Sequence, residues 1–97
     1  METLAESLKR LAQSGYTDAY RAETNGLRSL SDGTIDPPER FRVDEVVRFE
    51  GDSDPSDESA VFALSSLSGN RKGTYTVGFG MLMDPLDADM VRRLSAR

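Results

Sequence analysis

The sequence predicts an α+β fold in two layers, with an antiparallel sheet of about five strands and both terminal helices packed on one of its faces. Three observations predict it. Apolar residues recur at helical spacing near both ends, they alternate along the segments between, and nearly every connection between strands is short, which favours antiparallel neighbours. At 97 residues the chain has room for one hydrophobic core, so residues 1–97 are expected to form a single domain.

The two helices carry recognisable start and stop signals. Thr3 and Glu6 have the spacing of a capping box, in which each side chain bonds a backbone N–H at the helix start. Three leucines spaced at i, i+4 and i+7 extend this helix to about residue 14. Gly15 is the expected left-handed residue after its end. Asp84 and Pro85 are typical of an N-cap and first position, and they begin the second helix.

The strands are predicted from alternation and from turn residues. Asn25 and Gly26 form the dipeptide favoured in type I′ hairpin turns, which would pair Thr24 with Leu27. Residues 36–40 are predicted to form one Asp-capped helical turn with proline at its first position. The alternating segments that follow predict strands over residues 41–49, 59–67 and 74–81.

Glu45 is the one misfit in the first of these strands, because it falls among the apolar positions. A buried carboxylate would have the raised pKa that a general acid needs. A β-bulge near residues 44–46 would instead shift the alternation and leave Glu45 in water. The sequence favours the bulge, since no local spacing places a second carboxylate or a nucleophile beside Glu45.

Composition excludes several function classes. The net charge of −5 disfavours binding to nucleic acid or to an anionic membrane, since phosphate backbones are bound by concentrated lysine and arginine. The chain contains no cysteine and no histidine, which removes disulfides, thiolate metal sites and Ser-His catalysis. No apolar run is long enough to span a membrane, and no signal peptide is apparent. We therefore expect a cytoplasmic protein with no cofactor.

The acidic loop between the first two of these strands is the candidate metal site. Asp52, Asp54, Asp57 and Glu58 are its candidate ligands, and its first positions have the 1, 3, 5 spacing of a calcium loop. However, Asp57 stands where such a loop needs glycine, and Ala63 stands where it needs a bidentate glutamate. Turn chemistry is the favoured interpretation, and divalent-cation binding is the alternative.

The candidate ligand-binding or interface residues are Arg48, Glu50, Arg71 and Lys72. Arg48 and Glu50 share one face of their strand, whereas Arg71 and Lys72 follow a turn. If the sheet face opposite the helices is open, it would carry Val46, Val61 and Ala63 among charges. Such a face, or an edge strand, would allow a homodimer with Arg48 as an interface anchor.

Four segments of the chain carry a resemblance to a known family. They are residues 15–20 (GYTDAY), 43–58 (VDEVVRFEGDSDPSDE), 72–73 and 79–80. In them the chain resembles a short prokaryotic family of unknown function, some members of which are labelled phosphoribosylpyrophosphate synthetase-like. The resemblance covers most of the chain. It implies an independent small domain connected with nucleotide metabolism, and it supplies no catalytic residue.

The sequence leaves open whether the chain is an enzyme, and it favours a non-enzymatic module. That module would bind a protein partner or a small-molecule ligand, and it could self-associate. One alternative is a small enzyme or binding protein for a nucleotide or sugar phosphate. A second is a cation-binding module at residues 52–58.

Overall fold

A computed structural model describes residues 2–49, 58–69, 71–79 and 83–95. In this part of the chain two helices enclose six strands, which confirms the predicted α+β class with N- and C-terminal helices. The elements in chain order are α1 (Leu4–Gln13), β1 (Asp18–Glu23), β2 (Gly26–Ser29), β3 (Ile35–Asp36), a 3-10 turn (Pro38–Arg40), β4 (Phe41–Phe49), β5 (Ser59–Ser66), β6 (Lys72–Gly78) and α2 (Pro85–Ser95).

The sheet is mixed, where the sequence predicted about five antiparallel strands. Its order is β3-β2-β1-β6-β5-β4, so it consists of two three-stranded antiparallel halves. The halves join where β1 pairs with β6 in parallel, with Asp18 opposite Gly73 and Tyr20 opposite Tyr75. Short connections correctly predict the antiparallel pairs within each half. They carry no information about how the two halves meet.

The helices lie on opposite faces of the sheet, so the prediction that both share one face is wrong. Met90 of α2 packs with Phe62 and Leu64 of β5, whereas Leu11 of α1 packs with Val61 of the same strand. Residues 60–64 of β5 are therefore all buried. Such an unbroken apolar run is typical of a strand covered on both faces.

A bulge in β4 explains how side chains of that strand reach the cores on both faces of the sheet. The register with β5 shifts between Val43 and Glu45, as the misfit of Glu45 predicted. Before the bulge, Phe41 packs in the core beneath α2, and beyond it Phe49 packs in the core beneath α1. Glu45 is exposed and bonds Arg10 of α1 at 2.8 Å. The interpretation of Glu45 as a buried acid is therefore wrong.

The first hairpin has a different register from the predicted one. Ala22 lies opposite Leu27, so the two turn residues are Thr24 and Asn25. Gly26 belongs to β2 and has a φ of +146°, and a Cβ there would lie 2.3 Å from the carbonyl oxygen of Asp36. The glycine is required by the close approach of β3 rather than by a type I′ turn.

The predicted ends of the helices are confirmed. Thr3 and Glu6 form the capping box of α1. Gly15 follows α1 with a φ of +102°, and the N–H groups of Gly15 and Tyr16 donate to the carbonyls of Ala12 and Leu11. This is a Schellman motif, and it returns the Tyr16 ring to the core beneath α1. At the start of α2, the Asp84 carboxylate accepts from the N–H of Leu86.

Two smaller predictions differ from the structure. Asp36 does not cap the turn that follows: it lies in β3, and Pro37 precedes the 3-10 turn without a side-chain cap. The last strand begins at Lys72, two residues before its predicted start. Both differences have one cause. Asp36 and Lys72 lie outside the alternating apolar segments, but each pairs with a neighbouring strand, opposite Leu27 and Ser65 respectively.

Candidate functional site

The structure separates the predicted site residues into two groups. Arg48 lies opposite Ala60 at the start of β5, whereas Lys72 lies opposite Ser65 near its end. Five residues of a strand span about 17 Å. Arg48 is exposed, and its guanidinium carbon lies 5.5 Å from the centre of the Phe79 ring. Arg48 therefore takes no part in the site around Arg71 and Lys72.

The acidic loop falls almost wholly outside the described residues. Glu50, Asp52, Asp54 and Asp57 all lie outside them. Glu58 is described, and its backbone carbonyl accepts from the N–H of Phe79. Within the described part of the chain there is no group of three or more side chains that could hold a metal ion.

Arg71 and Lys72 line a cleft of about 570 Å³ at one end of the sheet, which we call the end cleft. This volume is within the usual range for small-molecule sites. The other lining residues are Gly15, Thr17, Asp18, Ser31, Thr34, Asp36, Phe41, Ser66, Ser68 and Gly69. A second cleft of about 480 Å³ shares Ser66, Gly69 and Lys72 with it. The site is therefore a polar groove rich in hydroxyl groups.

The parallel pairing of β1 with β6 creates the end cleft. Because parallel strands begin at the same edge of a sheet, the start of β1 lies beside the start of β6, with Asp18 opposite Gly73. Arg71 and Lys72 directly precede that position. Asp36 of β3 also lines the cleft, although it lies opposite Leu27 of β2 and so level with Ala22 rather than with Asp18. The sequence predicted Arg71 and Lys72 as site residues but did not predict Asp18 and Asp36, which line the same cleft.

A polar network fixes one wall of the end cleft. The Ser29 hydroxyl donates to the Asp18 carboxylate at 2.6 Å, and Arg71 Nε lies 3.8 Å from the same carboxylate. Arg71 also donates two hydrogen bonds to Asp32. These bonds, together with the N–H of Thr34, hold the pKa of Asp32 well below its ordinary value. The network ties together β1, β2, the β2–β3 connection and the start of β6.

Tyr20 lies beside this wall with a buried hydroxyl that has no hydrogen-bond partner among the described residues. Its ring packs edge-on against Phe41, with centroids 5.0 Å apart, and Phe41 itself lines the end cleft. A Cβ at Gly73 would lie 2.7 Å from the Tyr20 ring, so glycine makes room for that ring. Burial, and then the charge of Asp18, raise the pKa of Tyr20 to about 12.

Lys72 is held on the other side of β6. Its ammonium nitrogen lies 4.3 Å from the centre of the Tyr16 ring, in a cation–π contact. The Tyr16 hydroxyl donates to Asp44 at 2.7 Å, and the Ser65 hydroxyl donates to the same carboxylate. Arg42 Nε also bonds Asp44, at 2.6 Å. This network fixes the platform on which the Lys72 ammonium rests.

The hydroxyl and carboxylate groups in and around the groove are groups that form hydrogen bonds. The Ser29 and Ser65 hydroxyls already donate to carboxylates. Hydrogen bonds from Ser65, Tyr16 and Arg42 outweigh the effect of burial and lower the pKa of Asp44, which makes its carboxylate a weak base. Serine, threonine and carboxylate groups can orient a polar ligand by hydrogen bonds.

Comparisons with protein-family models, curated proteins and solved structures find no match to this chain. In the described part of the chain, no helix is long and apolar enough to cross a membrane.

Proposed function

We propose that the chain is a non-enzymatic module that binds a small polar ligand in the end cleft. The observation that carries the proposal is that Arg71, Lys72, Asp18 and Asp36 all line one groove of about 570 Å³. Charged groups of both signs converge there from separate elements of the fold. A concave site with a few convergent polar groups is the usual form of a ligand pocket.

The rigidity of the walls supports this proposal. The Asp18–Ser29 bond and the Arg71–Asp32 pair involve four segments, so the polar groups are positioned before a ligand arrives. Preorganisation lowers the entropic cost of binding. Binding is favoured over catalysis because the best-placed hydroxyls and carboxylates already bond one another.

Backbone amide NMR of the uniformly ¹⁵N-labelled protein, titrated with a panel of small polar metabolites, tests the proposal. We expect saturable shifts at Asp18, Thr34 and Lys72 for at least one compound. Val47 and Arg48, at the far end of β4, should not move and serve as internal controls. A panel of amino acids, sugars, sugar phosphates and nucleotides that shifts none of the cleft amides would contradict the proposal.

A nucleotide or sugar phosphate is a second candidate class. The family resemblance suggests it, and Lys72 supports it with the neighbouring hydroxyls of Ser66 and Ser68. Arg71 contributes less to this candidate because Asp32 occupies its guanidinium. The same titration separates this candidate from unphosphorylated ligands.

Self-association remains a proposal with a narrower basis. Of the three residues predicted to lie on an open sheet face, Val61 and Ala63 are buried in the core beneath α1, whereas Val46 is exposed. In the described sheet, β4 is an edge strand that pairs only with β5. Its bulge and exposed arginines are features that protect edges from pairing. Light scattering at high protein concentration decides between monomer and dimer.

Cation binding by Asp52, Asp54, Asp57 and Glu58 stays a prediction. Three of these four residues lie outside the described chain.

A further inference from the structure

The second cleft, beside the end cleft, is positively charged. Its volume is about 480 Å³, and the described residues that line it are Arg42, Ser65, Ser66, Leu67, Gly69 and Lys72. Two of these residues are cations, and none of them is an acid. Since the chain carries a net charge of −5, the charge of this cleft is opposite in sign to that of the molecule.

Strand pairing brings the two cations to one face of the sheet. Arg42 lies opposite Ser65, and Ser65 lies opposite Lys72, so the three residues form one row across β4, β5 and β6. Ser65 follows Ala63 by two residues and therefore points to the face that α1 covers. Adjacent strands lie about 4.8 Å apart, so the backbones of Arg42 and Lys72 are about 10 Å apart, a gap that two long side chains can close around a small anion.

Each cation is held in place by a neighbour and keeps donors for a ligand. Arg42 Nε bonds Asp44 at 2.6 Å, while the two terminal nitrogens of the guanidinium have no hydrogen bond among the described residues. The Lys72 ammonium lies 4.3 Å from the centre of the Tyr16 ring, and no carboxylate of the described residues lies at ion-pair distance from it. The Tyr16 hydroxyl donates to the same Asp44 at 2.7 Å. One network therefore positions both cations, which lowers the entropic cost of binding.

The Asp44 carboxylate leaves this cleft with a surplus of positive charge. It accepts from Tyr16, Ser65 and Arg42, and its side chain is only 14% exposed. It is not among the described residues that line the cleft. Two cations against one carboxylate leave one positive charge for an anion to neutralise.

We infer that the second cleft binds an oxyanion group, a carboxylate or a phosphate, between the Arg42 guanidinium and the Lys72 ammonium. The terminal nitrogens of an arginine match two oxygens of such a group, and a lysine adds a point charge. Hydrogen bonds between ionised groups are about twice as strong as those between neutral groups. This inference does not rest on the proposed function, because Arg42 is not among the described residues that line the end cleft.

Titrations with three simple oxyanions test the inference. Sodium phosphate, sodium sulfate and sodium acetate are added separately to the ¹⁵N-labelled protein, and sodium chloride keeps the ionic strength constant. We expect at least one of them to shift the amides of Arg42, Leu67 and Lys72 saturably, while those of Asp18 and Thr34 in the end cleft stay in place. Tighter binding of phosphate than of acetate assigns a phosphate ester as the ligand group, and the reverse order assigns a carboxylate.

Variants with matched controls assign the binding groups. Arg42→Gln and Lys72→Gln should each weaken binding of the oxyanion by about 10-fold or more, the effect of losing a hydrogen bond to a charged group. Arg21→Gln is the control for Arg42: the two side chains are 67% and 68% exposed, and each bonds an acid two residues further along its strand. Lys9→Gln, which changes the other lysine of the chain, is the control for Lys72. Both controls should leave the affinity unchanged.

The outcomes separate the inference from the proposed function. Arg42→Gln removes one of three donors to Asp44 from an exposed position, so its fold is expected to be retained, and its amide spectrum checks this. If none of the three anions shifts the Arg42 amide saturably, or if Arg21→Gln weakens binding as much as Arg42→Gln, the inference is overturned. The proposed ligand of the end cleft then still stands, because the wider panel tests it at Asp18 and Thr34.

Discussion

At the scale of single residues, Asp44 is a carboxylate on which three polar side chains converge. It is the extra residue of the β4 bulge, and its carboxylate accepts from Tyr16, Ser65 and Arg42. Its side chain is only 14% exposed. Removing the charge leaves the two hydroxyls with a poorer acceptor, and a buried hydroxyl without a good partner costs about 1–3 kcal/mol.

The stabilisation by Asp44 should depend on pH in a defined direction. Its pKa in the folded protein is lowered from an ordinary value of 3.8, so the unfolded state takes up the proton first as pH falls. The contribution is therefore fully present above about pH 5 and is lost as pH falls through the folded pKa. We expect Asp44→Asn to lower the free energy of unfolding by about 1–3 kcal/mol at pH 7.

Urea denaturation of the wild type and of Asp44→Asn between pH 2.5 and 7 measures this effect. The difference in unfolding free energy should shrink towards acid pH. Tyr16→Phe keeps the carboxylate and removes one donor, so it should show a weaker pH dependence than the wild type. A difference that stays constant over the whole range would contradict the role given to Asp44.

Single residues also show which parts of the fold and of the cleft can be predicted from the sequence. Glu45 predicted the bulge because a carboxylate among apolar positions is a local signal. Arg71 and Lys72 were found because they follow a recognisable turn. Asp18 was not found, since it belongs to the cleft only through pairing with β6, a strand distant in sequence. Asp36 was not found because it was predicted to cap a turn, whereas it lies in β3.

At the scale of elements, β5 determines the layering. Alternation along residues 60–64 predicted the strand, but it did not predict that both faces of the strand are buried. The run includes Val61 and Ala63, which lie in one core cluster with Leu11 of α1. The bulge in β4 and the unbroken apolar run in β5 have one explanation, which is that each strand supplies side chains to both cores.

The second core gives a stability prediction for α1. Leu11 is 1% exposed and packs with Val61 and Ala63. Leu11→Ala should lower the free energy of unfolding by about 2–5 kcal/mol, because a large cavity is left in a tightly packed site.

Leu67→Ala is the matched control, since Leu67 is 60% exposed in the β5–β6 turn. It should change stability by about 0.5 kcal/mol or less. Chemical denaturation of both variants measures the two changes in the free energy of unfolding. Equal effects of the two substitutions would contradict the docking of α1 on the sheet.

At the scale of the whole molecule, the end cleft depends on the junction of the two half-sheets. Each half can be predicted from its short connections. The junction cannot be predicted in this way, because about half of the chain separates β1 from β6 and no local residue pattern specifies their pairing. Everything proposed about ligand binding in the end cleft follows from that pairing, since it brings Asp18 beside Arg71 and Lys72.

The most direct test is the pattern of nuclear Overhauser effects between the backbone protons of β1 and β6 in the ¹⁵N,¹³C-labelled protein. The structure predicts contacts between Asp18 and Gly73, Ala19 and Thr74, and Tyr20 and Tyr75, advancing in the same direction along both strands. Contacts that run in opposite directions, or pairing of β1 with β4 instead, would contradict the junction and with it the end cleft.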